Sequence, residues 1–319
     1  MWVSLLLMIL GFIALIWSAD RFVSGAAATA ANLGVSKMLI GLTIVSLGTS
    51  APEIFVAVVA AIEDSPRLAI ANAVGSNIAN IGLVLGITAL VRPLPFSKTV
   101  RRTELPWLLG ATVLAIFLLF DRSLSFVDGC ILFLAICAVM WRLYMNTKSS
   151  NNATPALQEE LEELADMTTR QSIASLSLGL IVLLVSAQVL VHAATDIAVT
   201  LGVSETLIGL TIVAIGTSLP ELTATISSAV KGHADIAIGN VVGSNILNIL
   251  AVLSVPALLN PTTIDYSFLW RDCGVMLALT LMLALFAYGV GSKPVITRFE
   301  GAVMLTAWVG YNTLIIQQA

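Results

Sequence analysis

Ten apolar segments, each close to the length of about 20 residues that a helix needs to cross a bilayer, account for most of this chain. Hydrophobic residues make up 58% of it, charged residues 11%, and the mean hydropathy is +0.99, whereas roughly a quarter of a soluble domain is charged. The sequence therefore predicts an all-α integral membrane protein with ten transmembrane helices. The predicted spans are 2–18, 38–62, 69–90, 104–120, 126–145, 172–192, 206–230, 236–258, 269–290 and 297–316.

Several other interpretations are disfavoured by composition and spacing. Residues 1–18 resemble a signal-peptide core, but no Lys or Arg precedes them and no convincing cleavage site follows, so we predict a retained first helix. Cys130, Cys137 and Cys273 lack the spacing of a disulfide framework or a zinc site. The small net charge of −4 gives no indication that the protein binds nucleic acid. No catalytic signature in a loop indicates an enzyme. We expect no cofactor and no obligate protein partner, only the lipid bilayer.

Much of the sequence is written twice at a separation of 168 residues, which indicates a duplication. GLTIVSLGTSAPE at 41–53 returns as GLTIVAIGTSLPE at 209–221. AIANAVGSNIANI at 69–81 returns as AIGNVVGSNILNI at 237–249. We therefore predict two five-helix repeats joined by a cytoplasmic linker that contains a short acidic helix near 155–167. The divisions are 1–145 for the first repeat with its motif at 41–86, 146–171 for the linker, and 172–319 for the second repeat with its motif at 209–254.

The number of helices in each half predicts how the halves are oriented. Five is an odd number, so the second half enters the membrane in the opposite direction and the repeats are inverted. Lys and Arg are enriched in cytoplasmic loops. With the N-terminus outside, twelve of the fifteen basic residues fall in inner loops, and only Arg67, Arg122 and Arg271 fall in outer ones. We therefore predict that both termini lie outside.

Each copy of the repeated motif places one carboxylate, Glu53 or Glu221, inside an apolar span. A charge at mid-membrane costs about 3 kcal/mol or more, and two carboxylates about 5 Å apart repel by roughly 3 kcal/mol at an effective dielectric near 20. Pro52 and Pro220 each disturb a backbone hydrogen bond, and a freed carbonyl survives in hydrocarbon only where protein, water or an ion takes it up. These features predict a cation site shared by the two halves.

Hydroxyl and amide oxygens accompany each carboxylate on the same helical faces. Such oxygens are ligands that Ca²⁺ and Na⁺ accept. A polar stripe can also pack helices by hydrogen bonding alone, and this alternative applies most to Asn72 and Asn240. The predicted ligands are Thr49, Ser50, Ser76 and Asn80 in the first half and Thr217, Ser218, Ser244 and Asn248 in the second.

The pairs GTSAPE with NAVGSNIAN and GTSLPE with NVVGSNILN resemble the alpha-repeats of the sodium/calcium exchangers, within the cation/Ca²⁺ antiporter superfamily. The resemblance covers the whole chain and implies that Glu53 and Glu221 are shared ligands for Ca²⁺ and Na⁺, with backbone carbonyls from Ser46 and Ala214. The short linker is similar to that of bacterial or archaeal members of the family. This resemblance implies that the protein lies in the cytoplasmic (inner) membrane. Some members carry Asp at one of the last two ligand positions. Both are Asn here, so the site has two formal negative charges rather than three.

These expectations together predict a secondary antiporter that exchanges Ca²⁺ for Na⁺ by alternating access at a midplane site built from two Glu. A proton-coupled Ca²⁺/cation exchanger is a close alternative, because the same carboxylates can carry H⁺. A cation channel is a further alternative, although proline-broken helices favour a site that can be closed. Ion stoichiometry, K⁺ involvement, transport direction, oligomeric state and a regulatory role of the linker stay open.

Overall fold

The computed structural model describes residues 2–34, 37–149, 167–201, 214–289 and 294–318, and these residues are almost wholly helical. A helical turn, Lys37–Ile40, leads into α2, and a π-helical turn, Val100–Glu104, leads into α5. The helices are α1 Trp2–Leu33, α2 Gly41–Thr49, α3 Ala51–Ile62, α4 Pro66–Val91, α5 Leu105–Leu118, α6 Phe126–Ser149, α7 Thr169–Thr200, α8 Ala214–Thr217, α9 Leu219–Val230, α10 Ala234–Leu259, α11 Phe268–Tyr288 and α12 Arg298–Gln318.

Six of these helices, α1, α4, α7, α10, α11 and α12, are long and apolar enough to cross a membrane. Helices α2 and α3 form a further candidate as one broken span. Helices also lie in the predicted spans 104–120 and 126–145. Part of the predicted span 206–230 lies outside the described residues, as does nearly all of the acidic helix near 155–167. The count of ten spans therefore stays a prediction.

Helices α1 and α7 form a closely packed pair because glycine removes the side chain where they meet. A Cβ atom at Gly25 would lie 2.3 Å from the backbone nitrogen of Leu176, and one at Gly179 would lie 2.5 Å from that of Phe22. Real Cβ atoms do not approach backbone so closely, so a larger residue at either position would push the helices apart. The opposite face of α1 carries exposed apolar side chains suited to lipid.

Two short antiparallel ladders mark the two ends of the helix bundle. The strands are β1 Leu94–Pro95, β2 Ser123–Leu124, β3 Thr262–Thr263 and β4 Val295–Ile296. In one ladder Leu94 of β1 pairs with Ile296 of β4. In the other Ser123 of β2 pairs with Thr263 of β3. We refer to the β1–β4 end and the β2–β3 end, each of which joins a loop of the first half to a loop of the second.

The element boundaries repeat at the separation found in the sequence. Helices α3 and α9 are 168 positions apart at both ends (51 to 219, 62 to 230), and so are α4 and α10 (66 to 234, 91 to 259). A π-helical turn begins at equivalent residues of the latter pair, Asn80 and Asn248. Helices α4 and α10 supply much of the buried core, so the duplicated segments lie at the centre of the molecule.

Candidate functional site

The twice-written motif coincides with two breaks in helical structure. Helices α2 and α3 are bent by 51° at Ser50, which has φ −84° and ψ 7°. The equivalent Ser218, between α8 and α9, has φ −88° and ψ 2°. Pro52 and Pro220 lie in the first turn after each break, where the N–H that proline lacks would have no partner within the helix. Each proline is therefore tolerated because it lies at the start of a new helix.

The two carboxylates lie in the first turn after these breaks and are buried. Glu53 is 1% exposed and Glu221 is 0% exposed. Ser50 Oγ donates to Glu221 Oε1 over 3.0 Å, so the break in one half contacts the carboxylate of the other. In the described part of the chain, Oε2 of both glutamates has no hydrogen-bond partner. Because an uncompensated buried charge is strongly unfavourable, these two oxygens suit a cation.

More unpaired polar atoms lie on buried side chains around the breaks. In native proteins the large majority of such atoms have a partner, so their concentration here indicates a ligand. Most are oxygens, which is the donor type that Ca²⁺ and Na⁺ prefer. Among the residues with described positions they are Asn77 Oδ1, Asn80 Oδ1, Ser218 Oγ, Ser244 Oγ, Asn245 Nδ2, and Oδ1 and Nδ2 of Asn248.

Hydrogen bonds between the halves hold this cluster together. Thr49 Oγ1 donates to Asn240 Oδ1 over 3.1 Å, and Asn240 Nδ2 in turn donates to Thr225 Oγ1 over 2.9 Å. Asn80 Nδ2 donates to Asn245 Oδ1, also over 3.1 Å. Polar groups from both copies of the motif are therefore interleaved. These bonds fit the interpretation that Asn240 packs helices together by hydrogen bonding, since its amide joins α10 to the break in the first half.

The structure brings most of the predicted ligands into one buried cluster. Ser46 donates from Oγ to Leu42 O, and its carbonyl already accepts the backbone N–H of Ser50 over 2.9 Å. Ser76 and the partly exposed Thr217 line a cavity beside the cluster. Ala214 begins α8, and its side chain lies outside the described residues. The fully or almost fully buried members are Ser46, Thr49, Ser50, Glu53, Asn80, Ser218, Glu221, Ser244 and Asn248.

Two buried residues of the cluster, Asn77 and Asn245, are not among the ligands predicted from the sequence. They are 1% and 0% exposed. Each lies beside the serine of its polar stripe, so a spacing of four residues does not include it. The available signal was their own equivalence in the repeat (77 to 245) and their position three residues before Asn80 and Asn248, which is also one helical face.

Two further acids are buried at equivalent positions (104 to 272), nearer the ends of helices. Glu104 is 5% exposed, and its Oε2 lacks a partner among the described residues. Asp272 is 3% exposed and accepts hydrogen bonds from Arg271 Nη2 over 3.0 Å and from Tyr311 OH over 2.6 Å. Arg271 thus balances Asp272 beside the cavity wall, and the charge within the central cluster still rests on Glu53 and Glu221.

A cavity of about 370 Å³ reaches the cluster from the β2–β3 end. Asn72 and Ser76 of α4, Thr217 at the second break and Asp272 of α11 lie in its wall. A second cavity of about 290 Å³ at the β1–β4 end is lined by residues 95–97 and 232–235, none of which belongs to the cluster. Of these two cavities, as the described residues line them, the one at the β2–β3 end approaches the cluster.

The two halves differ in how they border this cavity. Asn240 is 0% exposed whereas its equivalent Asn72 is partly exposed, and Ser244 and Ser76 are 0% and 5% exposed. A Cβ atom at Gly243 would lie 2.6 Å from Ser46 Oγ, whereas one at the equivalent Gly75 would have no neighbour within 4 Å among the described residues, which do not include 202–213. Helix α10 is therefore packed closely against α2, and Asn72 of α4 borders the cavity.

Known proteins match the chain over both halves. The family described as sodium/calcium exchanger protein matches residues 3–145 and 171–317. Inner membrane protein YrbG of Escherichia coli is 40% identical, and sodium/calcium exchanger MaX1 of Methanosarcina acetivorans is 32% identical, over 90% and 97% of both chains respectively. The structure of the sodium-calcium exchanger NCX_Mj soaked with 2.5 mM Na⁺ and 0.1 mM Ca²⁺ aligns with a TM-score of 0.82 and 32% identity over 96% of each chain. This chain therefore belongs to the sodium/calcium exchanger family.

Proposed function

We propose that the protein exchanges Ca²⁺ for Na⁺ across the membrane by alternating access, at a midplane site centred on Glu53 and Glu221. The observation that carries this proposal is the cluster of buried oxygens without partners, including Oε2 of both glutamates, among the described residues of an exchanger-family chain. Ca²⁺ takes six to eight oxygen ligands, and the cluster offers carboxylates, hydroxyls and amides together. The proposed ligands are Ser46, Thr49, Ser50, Glu53, Ser76, Asn80, Ala214, Thr217, Ser218, Glu221, Ser244 and Asn248.

Shared carboxylates couple the two ions. Ca²⁺ and Na⁺ compete for Glu53 and Glu221, so one ion must leave before the other is fully bound. Two ionised carboxylates without a cation would repel each other and remain desolvated, at a cost of several kcal/mol. This cost disfavours a change of access without a bound ion, and it thereby suppresses leak. A channel lacks such a requirement.

The cavity beside Asn72, whose equivalent Asn240 is fully buried, supports alternating access. If inverted repeats exchange conformations, the cavity closes beside α4 and opens beside α10, and the site is then reached from the other end. The ladders agree with inversion, because β1 pairs with β4 and its repeat equivalent β3 pairs with β2 (94 to 262). We propose that α1 and α7, which pack backbone to backbone, move together as the gate.

The same proposal assigns orientation and domains. With both termini outside, the β2–β3 end is external and the structure is open outward. Residues 1–145 and 172–319 are then the two repeats, and 146–171 is a cytoplasmic linker. The membrane is the bacterial or archaeal cytoplasmic membrane, in keeping with the name of the E. coli relative as an inner membrane protein.

Flux in proteoliposomes tests the function and separates its alternatives. Na⁺, K⁺ and H⁺ gradients are imposed one at a time while Ca²⁺ uptake is followed. We expect a Na⁺ gradient to drive uptake. Uptake driven by the pH gradient alone would instead identify a proton-coupled exchanger, and Ca²⁺ movement without any counter-ion would identify a channel.

Neutralising either central carboxylate tests the site. Glu53→Gln and Glu221→Gln keep the side-chain size but remove the charge that balances a cation, so each is expected to reduce Na⁺-driven Ca²⁺ uptake to background. Glu63→Gln, at the exposed end of α3, is the matched control and is expected to retain uptake. Unimpaired uptake by either central variant would refute the assignment.

A further inference from the structure

Four asparagines lie buried on α4 and α10, and the two helices are joined there by the bond between Asn80 and Asn245. Asn77 and Asn80 of α4, and Asn245 and Asn248 of α10, are each no more than 1% exposed. The pairs are equivalent in the repeat (77 to 245, 80 to 248), and Asn80 and Asn248 begin the two π-helical turns. Such turns are frequent at functional sites. These four amides are thus placed to act across the boundary between the halves.

A hydrogen bond fixes the direction of the Asn80 amide. Its Nδ2 donates to Asn245 Oδ1 over 3.1 Å, while its Oδ1 is buried without a partner in the described structure. The carbonyl and NH₂ groups of a primary amide lie in one plane and point in different directions. Binding the nitrogen to Asn245 therefore turns the oxygen of Asn80 away from Asn245. A carbonyl oxygen left free in this way is a cation ligand.

Such orientation matters more for asparagine than for aspartate. A carboxylate offers an oxygen in either flipped state, whereas an amide offers an oxygen in one state and an N–H₂ group, which a cation repels, in the other. The terminal torsion of asparagine is broad, so the side chain needs a partner to select the useful state. Since both Asn80 and Asn248 are neutral here, this chain depends on that selection at two positions.

The equivalent amides of the two halves have different partners. Asn77 Nδ2 donates to Ala73 O of its own helix over 2.8 Å, and its Oδ1 has no partner in the described part of the chain. Asn245 instead accepts a bond from the opposite half. Neither amide atom of Asn248 has a partner among the described residues. By the equivalence of the repeats, Asn77 Oδ1 corresponds to the acceptor that Asn245 offers to Asn80.

We infer that Asn77 and Asn245 are positioning residues that act on the cation through Asn248 and Asn80. Each accepts a hydrogen bond from the amide of the opposite half and so turns its carbonyl oxygen toward the ion. The bond between Asn80 and Asn245 belongs to the conformation open at the β2–β3 end, and a bond between Asn248 and Asn77 replaces it when access changes. This inference rests on the proposed cation site.

Side-specific affinity tests the inference. Asn245→Leu removes the acceptor for Asn80 and is expected to raise the KM for Ca²⁺ about tenfold at the β2–β3 side, because loss of an outer partner typically weakens a metal site 10-fold to 100-fold. Asn77→Leu is expected to do so at the opposite side. Both are measured in right-side-out and inside-out vesicles, and each variant is the matched control for the other. Equal effects on both sides would overturn the inference.

A double-mutant cycle separates positioning from a general effect on folding. If Asn245 acts through Asn80, Asn245→Leu has no further effect on the Ca²⁺ KM in an Asn80→Ala background. Additive effects would contradict the inference. Asn245→Asp keeps an oxygen acceptor for Asn80 and is expected to retain Ca²⁺ affinity, which also tests the idea if the leucine variant does not fold. A tenfold loss in Asn245→Asp would overturn it.

Wild-type measurements distinguish failure of this inference from failure of the proposed function. Absence of Na⁺-driven Ca²⁺ uptake by the wild-type protein contradicts the function itself. The positioning role is then still tested by Ca²⁺-dependent thermal stabilisation of the purified protein in detergent. Asn245→Leu is expected to need about tenfold more Ca²⁺ for the same rise in Tm, and an unchanged requirement would contradict the role.

Discussion

At the residue scale, the charge of the central cluster decides what it can exchange. Glu53 and Glu221 are its two formal charges, and the positions where some family members carry Asp are the neutral Asn80 and Asn248. Ligand charge is one of the properties that set cation affinity. Two negative charges are balanced by one Ca²⁺ or by two Na⁺. Exchange balanced in this way moves no net charge across the membrane.

Adding a third carboxylate is expected to change the electrical behaviour of transport. Asn248→Asp places a charge where both amide atoms lack partners among the described residues, and a third Na⁺ then balances the site. We expect membrane potential to leave Na⁺-driven Ca²⁺ uptake unchanged in the wild type and to alter it in Asn248→Asp. Potassium gradients with valinomycin set the potential, and Asn80→Asp is the repeat-related comparison. A potential-dependent wild type would show that charge balance does not set the stoichiometry.

The central carboxylates were predictable because two copies of one motif each insert an acid into an apolar segment. Asn77 and Asn245 share a helical face with Asn80 and Asn248, but their inferred role was not predictable, since it depends on where α4 meets α10 and on which way each amide turns. The hydrogen bond between Asp272 and Tyr311 was not predictable from the sequence either. Sequence spacing describes the face of one helix, but it does not describe the neighbour that this face meets.

At the element scale, some helix boundaries are predicted closely from the sequence and others are not. The predicted span 69–90 agrees closely with α4, Pro66–Val91, because both its ends lie at changes in polarity. Helix α1 continues to Leu33, well beyond the predicted end at 18. The charges of Asp20 and Arg21 end the apolar pattern there, but the alanine-rich run that follows favours helix. A span predicted from polarity is therefore shorter than a helix that continues past the bilayer core.

The equivalent glycines Gly243 and Gly75 have different neighbours among the described residues. A Cβ atom at Gly243 would lie 2.6 Å from Ser46 Oγ and 2.7 Å from Leu42 O, and one at Gly75 would have no neighbour within 4 Å in the part of the chain that the structure describes. The sequence places both glycines in the same motif, GSN, where a small residue suits close helix contact. It does not tell which of them is in contact, because that depends on the conformation of the transporter.

Alanine at these two positions is expected to have opposite consequences. Gly243→Ala introduces a clash and is expected to destabilise this conformation by about 1 to 3 kcal/mol. Gly75→Ala is expected to fold with a Tm no lower than wild type, since alanine favours helix. It blocks the closed packing that α4 adopts after access changes, so uptake is expected to fall more than tenfold. Thermal unfolding and Na⁺-driven Ca²⁺ uptake measure both effects, and wild-type uptake by Gly75→Ala would contradict the exchange of conformations.

At the scale of the whole molecule, the β1–β4 end is held closed by contacts between the halves. Lys231 Nζ forms an ion pair with Asp20 Oδ1 over 2.6 Å and donates to Ser24 Oγ over 2.9 Å, which joins the end of α9 to α1. Arg92 Nη1 donates to Val230 O over 2.6 Å at the same end. Since α1 belongs to the proposed gate, these contacts favour the conformation open at the β2–β3 end.

Removing the ion pair is expected to shift the equilibrium between the two access states. Exposed ion pairs contribute about 0 to 1 kcal/mol, so Asp20→Asn is expected to favour the opposite state by up to about fivefold. Apparent Ca²⁺ affinity at the β1–β4 side rises by the same factor, because the competent state becomes more populated. Asp196→Asn is the matched control, since Asp196 pairs with His192 within α7. Inside-out and right-side-out vesicles report the two sides, and an equal change on both would show that this ion pair does not bias access.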